Sequence, residues 1–332
     1  MSYRSMIHSQ AASIARCLET AQSEVACLDL QPFASGLIAV TGIGASFAAS
    51  LVVASELVRH DRRAVAIRCF DLAERKNLAD AIVALSHRGR SIEVVDAVTA
   101  HPSIPVLGMT NDAKSPLAKA AGQHLRIFNE LDATPSSTGY TATLATAGVM
   151  IDRLCQWATG WGKLPQMVTE VLGRAAEKMP RLAELFRDRR AIDCVGAGSS
   201  LGTAEGAVLL IREAARIPAA ASDTRHYLHG PMEAMDGRTG VVVFGDGREL
   251  QLAEELRHIG CPVLLVTATA EIADKGVLTV VRVPAQESRL YRGILDILPA
   301  QLLAAELSDA AGLTDSKFRY RQTDTKLTEA QP

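Results

Sequence analysis

Aromatic residues make up only 4% of this chain. With Ala, Val and Leu dominating, its interior suits helices packed on a parallel sheet. Membrane-spanning length is not reached by any apolar run, which excludes a spanning helix of ordinary kind. There is no CxxC pair: the six cysteines (Cys17, Cys27, Cys69, Cys155, Cys194 and Cys261) lie far apart. That spacing argues against a zinc site and a disulfide framework and fits a reducing compartment. A large charge excess is also missing. The net charge of −2 gives no general pull on nucleic acid or an anionic membrane, so an anionic ligand must be held by a local site. Met1 to Arg16 carries polar and charged residues through its middle, unlike a signal peptide. The expectation is a cytoplasmic, compact, soluble protein: 48% apolar, 22% charged and, at 332 residues, long enough for two domains.

What is present is a repeat. Residues 37–49 read LIAVTGIGASFAA and residues 191–204 read AIDCVGAGSSLGTA. Each is an apolar strand running into Gly-x-Gly-x-Ser (Gly42, Gly44, Ser46; Gly196, Gly198, Ser200) and then a small-residue helix. Downstream, the apolar run 82–85 meets a turn through Gly89, and the run 241–244 meets Gly245 and Gly247. Amphipathic helices near 92–100 and 250–259 follow, then matching strands at 104–110 and 261–267. The nearly constant offset and shared order mark two copies of one strand–turn–helix module.

The fold class expected is therefore α/β: two tandem three-layer α/β/α sandwiches with parallel sheets, doubly wound in the flavodoxin-like manner. An N-terminal helix (about 7–28, within 1–28) precedes a first domain at 29–160. Helices near 139–158 and 164–187 bridge the copies, with Gly160, Gly162 and Pro165 at the join. The second domain covers 161–311 and ends in a helix at 290–311; a polar tail fills 312–332. No segment is left over for a DNA-reading helix-turn-helix.

Four segments carry chemistry. Glycines after a strand let backbone N–H groups approach an anion at a helix N-terminus, where the dipole favours negative charge. A dinucleotide turn would need a third glycine, but Phe47 and Leu201 stand there. Two ligand-free tight turns would read the same. The second segment, Ser86-His-Arg-Gly-Arg-Ser91, can converge hydroxyls, amides and guanidiniums on a phosphate. The matching turn Gly245-Asp-Gly-Arg-Glu249 is acidic and lacks hydroxyls, so the first copy is the better anion holder. The third, Glu130-Leu-Asp-Ala-Thr-Pro-Ser-Ser-Thr138, folds over ligand hydroxyls or simply caps a helix, and by itself the cap is favoured. The fourth is a helix holding Glu213 followed by Asp223-Thr-Arg-His-Tyr-Leu-His-Gly-Pro231. His226 and His229 lack a further ligand at helical spacing, which argues against a metal. A histidine and a carboxylate suit acid–base work instead.

Together these segments resemble the tandem form of the sugar isomerase (SIS) family, over about residues 10–325. The likeness is to the isomerase half of glucosamine-6-phosphate synthase and to stand-alone phosphosugar isomerases, deaminases and deglycases. Its most specific part is Glu213 with His229-Gly-Pro231 sixteen residues on. The resemblance implies that Gly44 and Ser46 belong to the phosphate pocket, and that Ser86, His87, Arg88 and Ser91 fall on a phosphate loop reading Ser-Gln-Ser-Gly-x-Thr. Ser136 or Ser137, beside Thr138, falls on a serine that contacts the sugar. Ser200 is the second-module counterpart of Ser46. Glu213 matches the base that moves a proton between C1 and C2, and His229 the ring-opening histidine, supplied by a neighbouring subunit in a homodimer. No cofactor and no metal is implied. The family's two lysines are replaced: Leu210 stands at one position and Thr323 at the other, with Lys326 close by. The expected activity is aldose–ketose isomerisation of a sugar or aminosugar 6-phosphate. Deamination or fructosamine-6-phosphate deglycation, and a non-catalytic phosphosugar sensor, stand as alternatives.

Overall fold

The computed structural model describes residues 2–129, 132–313, 318–320 and 322–327. The helix expected at 7–28 is two, α1 (Tyr3–His8) and α2 (Gln10–Ala26), broken at Ser9. Next come β1 (Leu37–Thr41), α3 (Ala45–Arg59), β2 (Arg63–Ala66), α4 (Cys69–Glu74), β3 (Ala81–Leu85), α5 (Ile92–Thr99), β4 (Val106–Thr110), α6 (Pro116–Ala120) and β5 (Gln123–Arg126). The long helices α7 (Thr138–Cys155) and α8 (Leu164–Phe186) lead to the second sheet. There the order is β6 (Ala191–Gly196), α9 (Ser200–Leu210), β7 (Ala219–Ser222), α10 (Thr224–Tyr227), β8 (Thr239–Phe244), α11 (Arg248–Ile259), β9 (Val263–Thr267) and β10 (Leu278–Arg282), closed by α12 (Arg289–Ala310).

Both sheets are five-stranded, with orders β2-β1-β3-β4-β5 and β7-β6-β8-β9-β10. Every pairing is parallel. The spatial order is thus the same in each. The internal likeness extends to single residues. β4 and β9 begin later than the apolar runs suggest because Pro105 and Pro262 have no N–H to give the ladder. Their carbonyls still accept from Ile82 N and Val241 N, each at 2.9 Å. The edge strands β2 (Arg-Ala-Val-Ala) and β7 (Ala-Ala-Ala-Ser) are too short and weakly patterned to stand out in the sequence.

The side-chain period of two assigns each strand two faces. Ala39, Ile82 and Ala84 pack outward with α4 and α5, while Val195, Val241 and Val243 pack outward with α11. The opposite faces, including Ile38, Val40, Val83, Cys194, Val242 and Phe244, enter a single apolar cluster with α2, α3, α7, α8, α9 and α12. The helical layer between the sheets is therefore common property. The inner halves of the two cores expected of separate sandwiches are merged into one, because the bridging helices bury residues against both sheets, while each sheet keeps its own outer cluster. At its centre α3 crosses α9, where a Cβ on Gly202 would come within 2.6 Å of Val52 Cγ2 and 2.7 Å of the Ala48 carbonyl.

Candidate functional site

In a doubly wound sheet the connections leave β1 toward β2 on one side and reach β3 on the other. Turns after β1 and β3 then lie side by side at the C-terminal edge, where such folds hold ligands. In the first sheet these are residues 42–46 and 86–91. Gly42 is required by close packing, since a Cβ there would lie 2.7 Å from the Ser46 carbonyl oxygen. Gly44 caps α3 with φ 60°, a conformation that L side chains seldom adopt. Ser46 lies half-buried in the first turn of α3. Ser86 and Ser91 are buried, with Ser86 Oγ donating to Ser91 Oγ at 3.4 Å. Gly89 holds the turn at φ 63°, and Arg88 is exposed.

His87 does not act as a cation here. Ser13 Oγ donates to Asn129 Oδ1 at 2.8 Å, which leaves the Asn129 amide to donate to His87 Nε2 at 3.2 Å. Burial pushes the His87 pKa down, with Asp132 opposing and Arg88 reinforcing that direction. The ring is a neutral acceptor beside Asp132.

Asp132 organises the loop before α7. It accepts from Ser136 Oγ at 2.6 Å, Ser137 N at 3.0 Å, Ser137 Oγ at 3.2 Å and Gly139 N at 2.7 Å. The cap favoured for this loop exists, but the carboxylate five residues upstream supplies it; Ser137, at the N-cap position, makes no side-chain cap bond. Ser137 and Thr138 are buried and Ser136 is half-buried. Glu130 and Leu131 of this loop lie outside the described residues. Asp132→Ala should leave the first-turn N–H groups of α7 unmet and cost about 1–2 kcal/mol, read as a lower urea midpoint.

The corresponding turns of the second sheet are already neutralised. Ser200 lines a cavity of about 240 Å³ with Asp246, Glu249, Arg289 and Arg292. Glu249 accepts from Gly247 N at 3.1 Å. Asp246 accepts from Thr267 Oγ1 and Ala268 N at 2.7 Å and from Arg292 at 2.6 Å. Burial works to raise the Asp246 carboxyl, but these partners together hold it below its ordinary value. Ser200 is thus brought to a different place from Ser46, Ser86 and Ser91.

Glu213 belongs to a π-helical turn, Ile211–Ala215, that continues α9 and ends at Arg216 with φ 58°. Such turns widen a helix and recur at functional sites. Glu213 lines a narrow crevice with Ala45, Ser136, Tyr140, Leu209 and Gln301, which brings it between the start of α3 and the α7 loop. On its other side it borders an open cavity of about 430 Å³ with Arg212, Arg216, Arg319, Phe318 and Tyr320. Burial alone raises its pKa from 4.5 to about 7. A further cavity, of about 510 Å³, lies between Gly42, Gly44 and Phe47 on one side and Glu205 and Leu209 of α9 on the other. Leu209 borders this space and the Glu213 crevice alike.

His229 follows α10, exposed, and none of the described residues joins it to Glu213 by a hydrogen bond. Sequence reasoning missed Tyr3, whose hydroxyl donates to the Gln301 carbonyl at 3.3 Å. Burial raises its pKa well above the usual value, with Asp132 and Glu213 adding to the rise, which marks α1 as a wall of the site. Among the described residues there is no group of three or more His, Cys, Asp or Glu able to hold a metal, and no helix long and apolar enough to cross a membrane.

No family model matches the chain. It is 26% identical over 313 residues to the glutamine–fructose-6-phosphate aminotransferase (isomerizing) of Pyrobaculum aerophilum, covering 88% of this chain and 51% of that protein. With the same enzyme of Sulfolobus acidocaldarius it shares 23% over 334 residues, covering 94% and 54%. The chain spans about half the length of the curated relatives it matches. In fold it is similar to the C-terminal domain of the Francisella tularensis glucosamine-fructose-6-phosphate aminotransferase, with TM-score 0.77, 16% identity and coverage of 93% and 95%. It is similar also to the Escherichia coli tagatose-6-phosphate ketose/aldose isomerase, with TM-score 0.74, 17% identity and coverage of 97% and 96%. A third likeness is to the Thermotoga maritima glucosamine-6-phosphate deaminase, with TM-score 0.73, 18% identity and coverage of 95% and 98%. In sequence and in fold, then, the chain resembles the sugar isomerase (SIS) family, the likeness to which its glycine turns and its Glu213 segment first pointed.

Proposed function

We propose that this chain binds a sugar or aminosugar 6-phosphate between the β1 and β3 turns and Glu213, and interconverts aldose and ketose forms by moving a proton between C1 and C2. The observation that carries this reading is the placement of Glu213. Glu213 is borne by the second half, lines a crevice shared with Ala45 of the first half's β1 turn and Ser136 of its α7 loop, and has a carboxyl pKa raised to about 7. A base is most effective when its pKa lies near the working pH. The phosphate would rest on Gly44, Ser46, Ser86 and Ser91, where N–H groups and hydroxyls supply donors. Anchoring the far end of the sugar spends binding energy on positioning the reacting carbons. Glu213 then takes the proton from one carbon of the open-chain sugar and returns it to its neighbour through an enediol, or an enolamine for an aminosugar.

The reading treats residues 29–160 and 161–311 as two copies of one module, and takes His229 as the ring-opening group acting in a neighbouring subunit of a homodimer. Its exposure leaves it free for that use. A second reading, deamination or deglycation of a C1 or C2 amine, is favoured by the open cavity beyond Glu213, which leaves room for a substituent at the reacting end. Incubation with glucose, fructose, glucosamine and fructosamine 6-phosphates tests both: the first reading expects ketose–aldose exchange, the second release of ammonia from the aminosugar or of the free amine from the fructosamine. Thermal stabilisation by these sugars without turnover would point to a sensor and defeat both.

A further inference from the structure

The C-terminal segment returns to the first sheet. Leu327 N donates to the Arg90 carbonyl at 2.9 Å, Ile92 N donates to the Thr325 carbonyl at 3.4 Å, and Ser91 and Lys326 form an antiparallel bridge. The Leu327 side chain packs on the outer apolar cluster with α5. These backbone bonds fix the register, and the register sets Lys326 Nζ 2.7 Å from Ser91 Oγ. Ser91 in turn accepts from Ser86, so the ammonium heads a chain of hydroxyls in the β3 turn. An ammonium has three donors. Ser91 is its hydrogen-bond partner among the described residues, so two N–H groups remain to be used. Arg88 lies near enough to act on Lys326 through its charge. Burial lowers the Lys326 pKa, the Glu93 carboxylate opposes this and Arg88 adds to it.

We propose that Lys326 is a phosphate-binding residue: it supplies a fixed cation to the β3-turn anion pocket beside Arg88, with Ser91 setting its position, and stands at the phosphate end of the substrate rather than at the reacting carbon. The inference rests on the proposed phosphosugar site and adds to it the residue that matches the charge. Hydroxyls and amides alone leave a dianion uncompensated; His87 is neutral and the turn's Arg88 is exposed, so Lys326, hydrogen-bonded to Ser91, adds the cation that is fixed in place beside the hydroxyls. A lysine held by main-chain pairing provides one without lengthening the turn. It also gives Lys326 a task different from imine formation with a ketose, which requires the amine beside the carbonyl carbon.

Binding of inorganic phosphate, fructose 6-phosphate and unphosphorylated fructose to the full chain and to Lys326→Met tests this by calorimetry. The substitution should weaken phosphate and fructose 6-phosphate about tenfold or more, the scale of one charge-assisted hydrogen bond, and leave fructose unchanged. Lys326→Arg should recover most of the loss. Wild-type binding retained in full by Lys326→Met overturns the inference and leaves the site reading standing. A wild-type chain that binds neither phosphate overturns both. Borohydride treatment with fructose 6-phosphate should leave Lys326 unmodified; a hexitol adduct there would put its amine at the reacting carbon and refute the assignment.

Discussion

Glu213→Gln should lower turnover of the sugar phosphate by about 10²–10⁴-fold while leaving its binding intact, since an amide keeps the shape of the acid and loses the base. The same substitution should make the protein more stable in alkaline buffer. Burial raises the carboxyl from 4.5 to about 7, so between those values the folded chain holds a proton that the unfolded chain releases. Stability therefore falls as pH rises from about 4.5 to about 7, and the full cost persists above that window. Its size, discounted for partial exposure, is roughly 2–3 kcal/mol. Gln carries no such charge. Urea midpoints at pH 4 and pH 8 should show near equality at the first and a clear gain for Glu213→Gln at the second. Wild-type kcat/KM should rise with pH through about 7 as the base ionises. A variant that keeps its rate, or gains nothing at pH 8, would remove Glu213 from the role given to it.

Gly202→Val is the structural counterpart. A Cβ at Gly202 meets Val52 Cγ2 at 2.6 Å, the Ala48 carbonyl at 2.7 Å and Leu51 Cβ at 3.1 Å. Backbone cannot swing aside as a long side chain would, so α9 must move off α3. Overpacking of this kind costs about 1–3 kcal/mol, with the larger value expected where three groups resist. Because α3 begins at the glycine turn and α9 leads into Glu213, the same displacement would widen the gap between phosphate turn and base. Activity should fall more than the fraction unfolded explains. Gly173→Ala is the control. It lies exposed within α8, its added methyl would meet nothing within 4 Å, and it should gain about 0.5–1 kcal/mol from helix propensity.

How much was legible follows from how local each feature is. The glycine turns were readable because Gly42 and Gly196 answer to neighbours four residues away, so the constraint is written into a short motif. The parallel sheet followed from apolar runs that alternate with helices. Glu213 was found through the family resemblance and its spacing to His229, but nothing in Ile-Arg-Glu-Ala-Ala signals the π turn, which packs against α12 and ends at the left-handed Arg216. Asp132 was visible only as one polar residue among several, since capping from five residues upstream depends on the path of the loop. The state of His87 could not be read from its turn, since burial lowers its pKa and the amide that donates to it, Asn129, lies 42 residues away in sequence. The partnership of Lys326 with Ser91 spans 235 residues and has no sequence signature at all.

The shared middle layer has a consequence for how the molecule comes apart. Stripping away either sheet would lay bare the faces of α2, α7, α8 and α12 that the remaining sheet does not cover. Neither half has a seam along which to detach, so heat should melt both sheets in one calorimetric step. Fragments cut near Gly160 should stay sticky and unstructured until mixed.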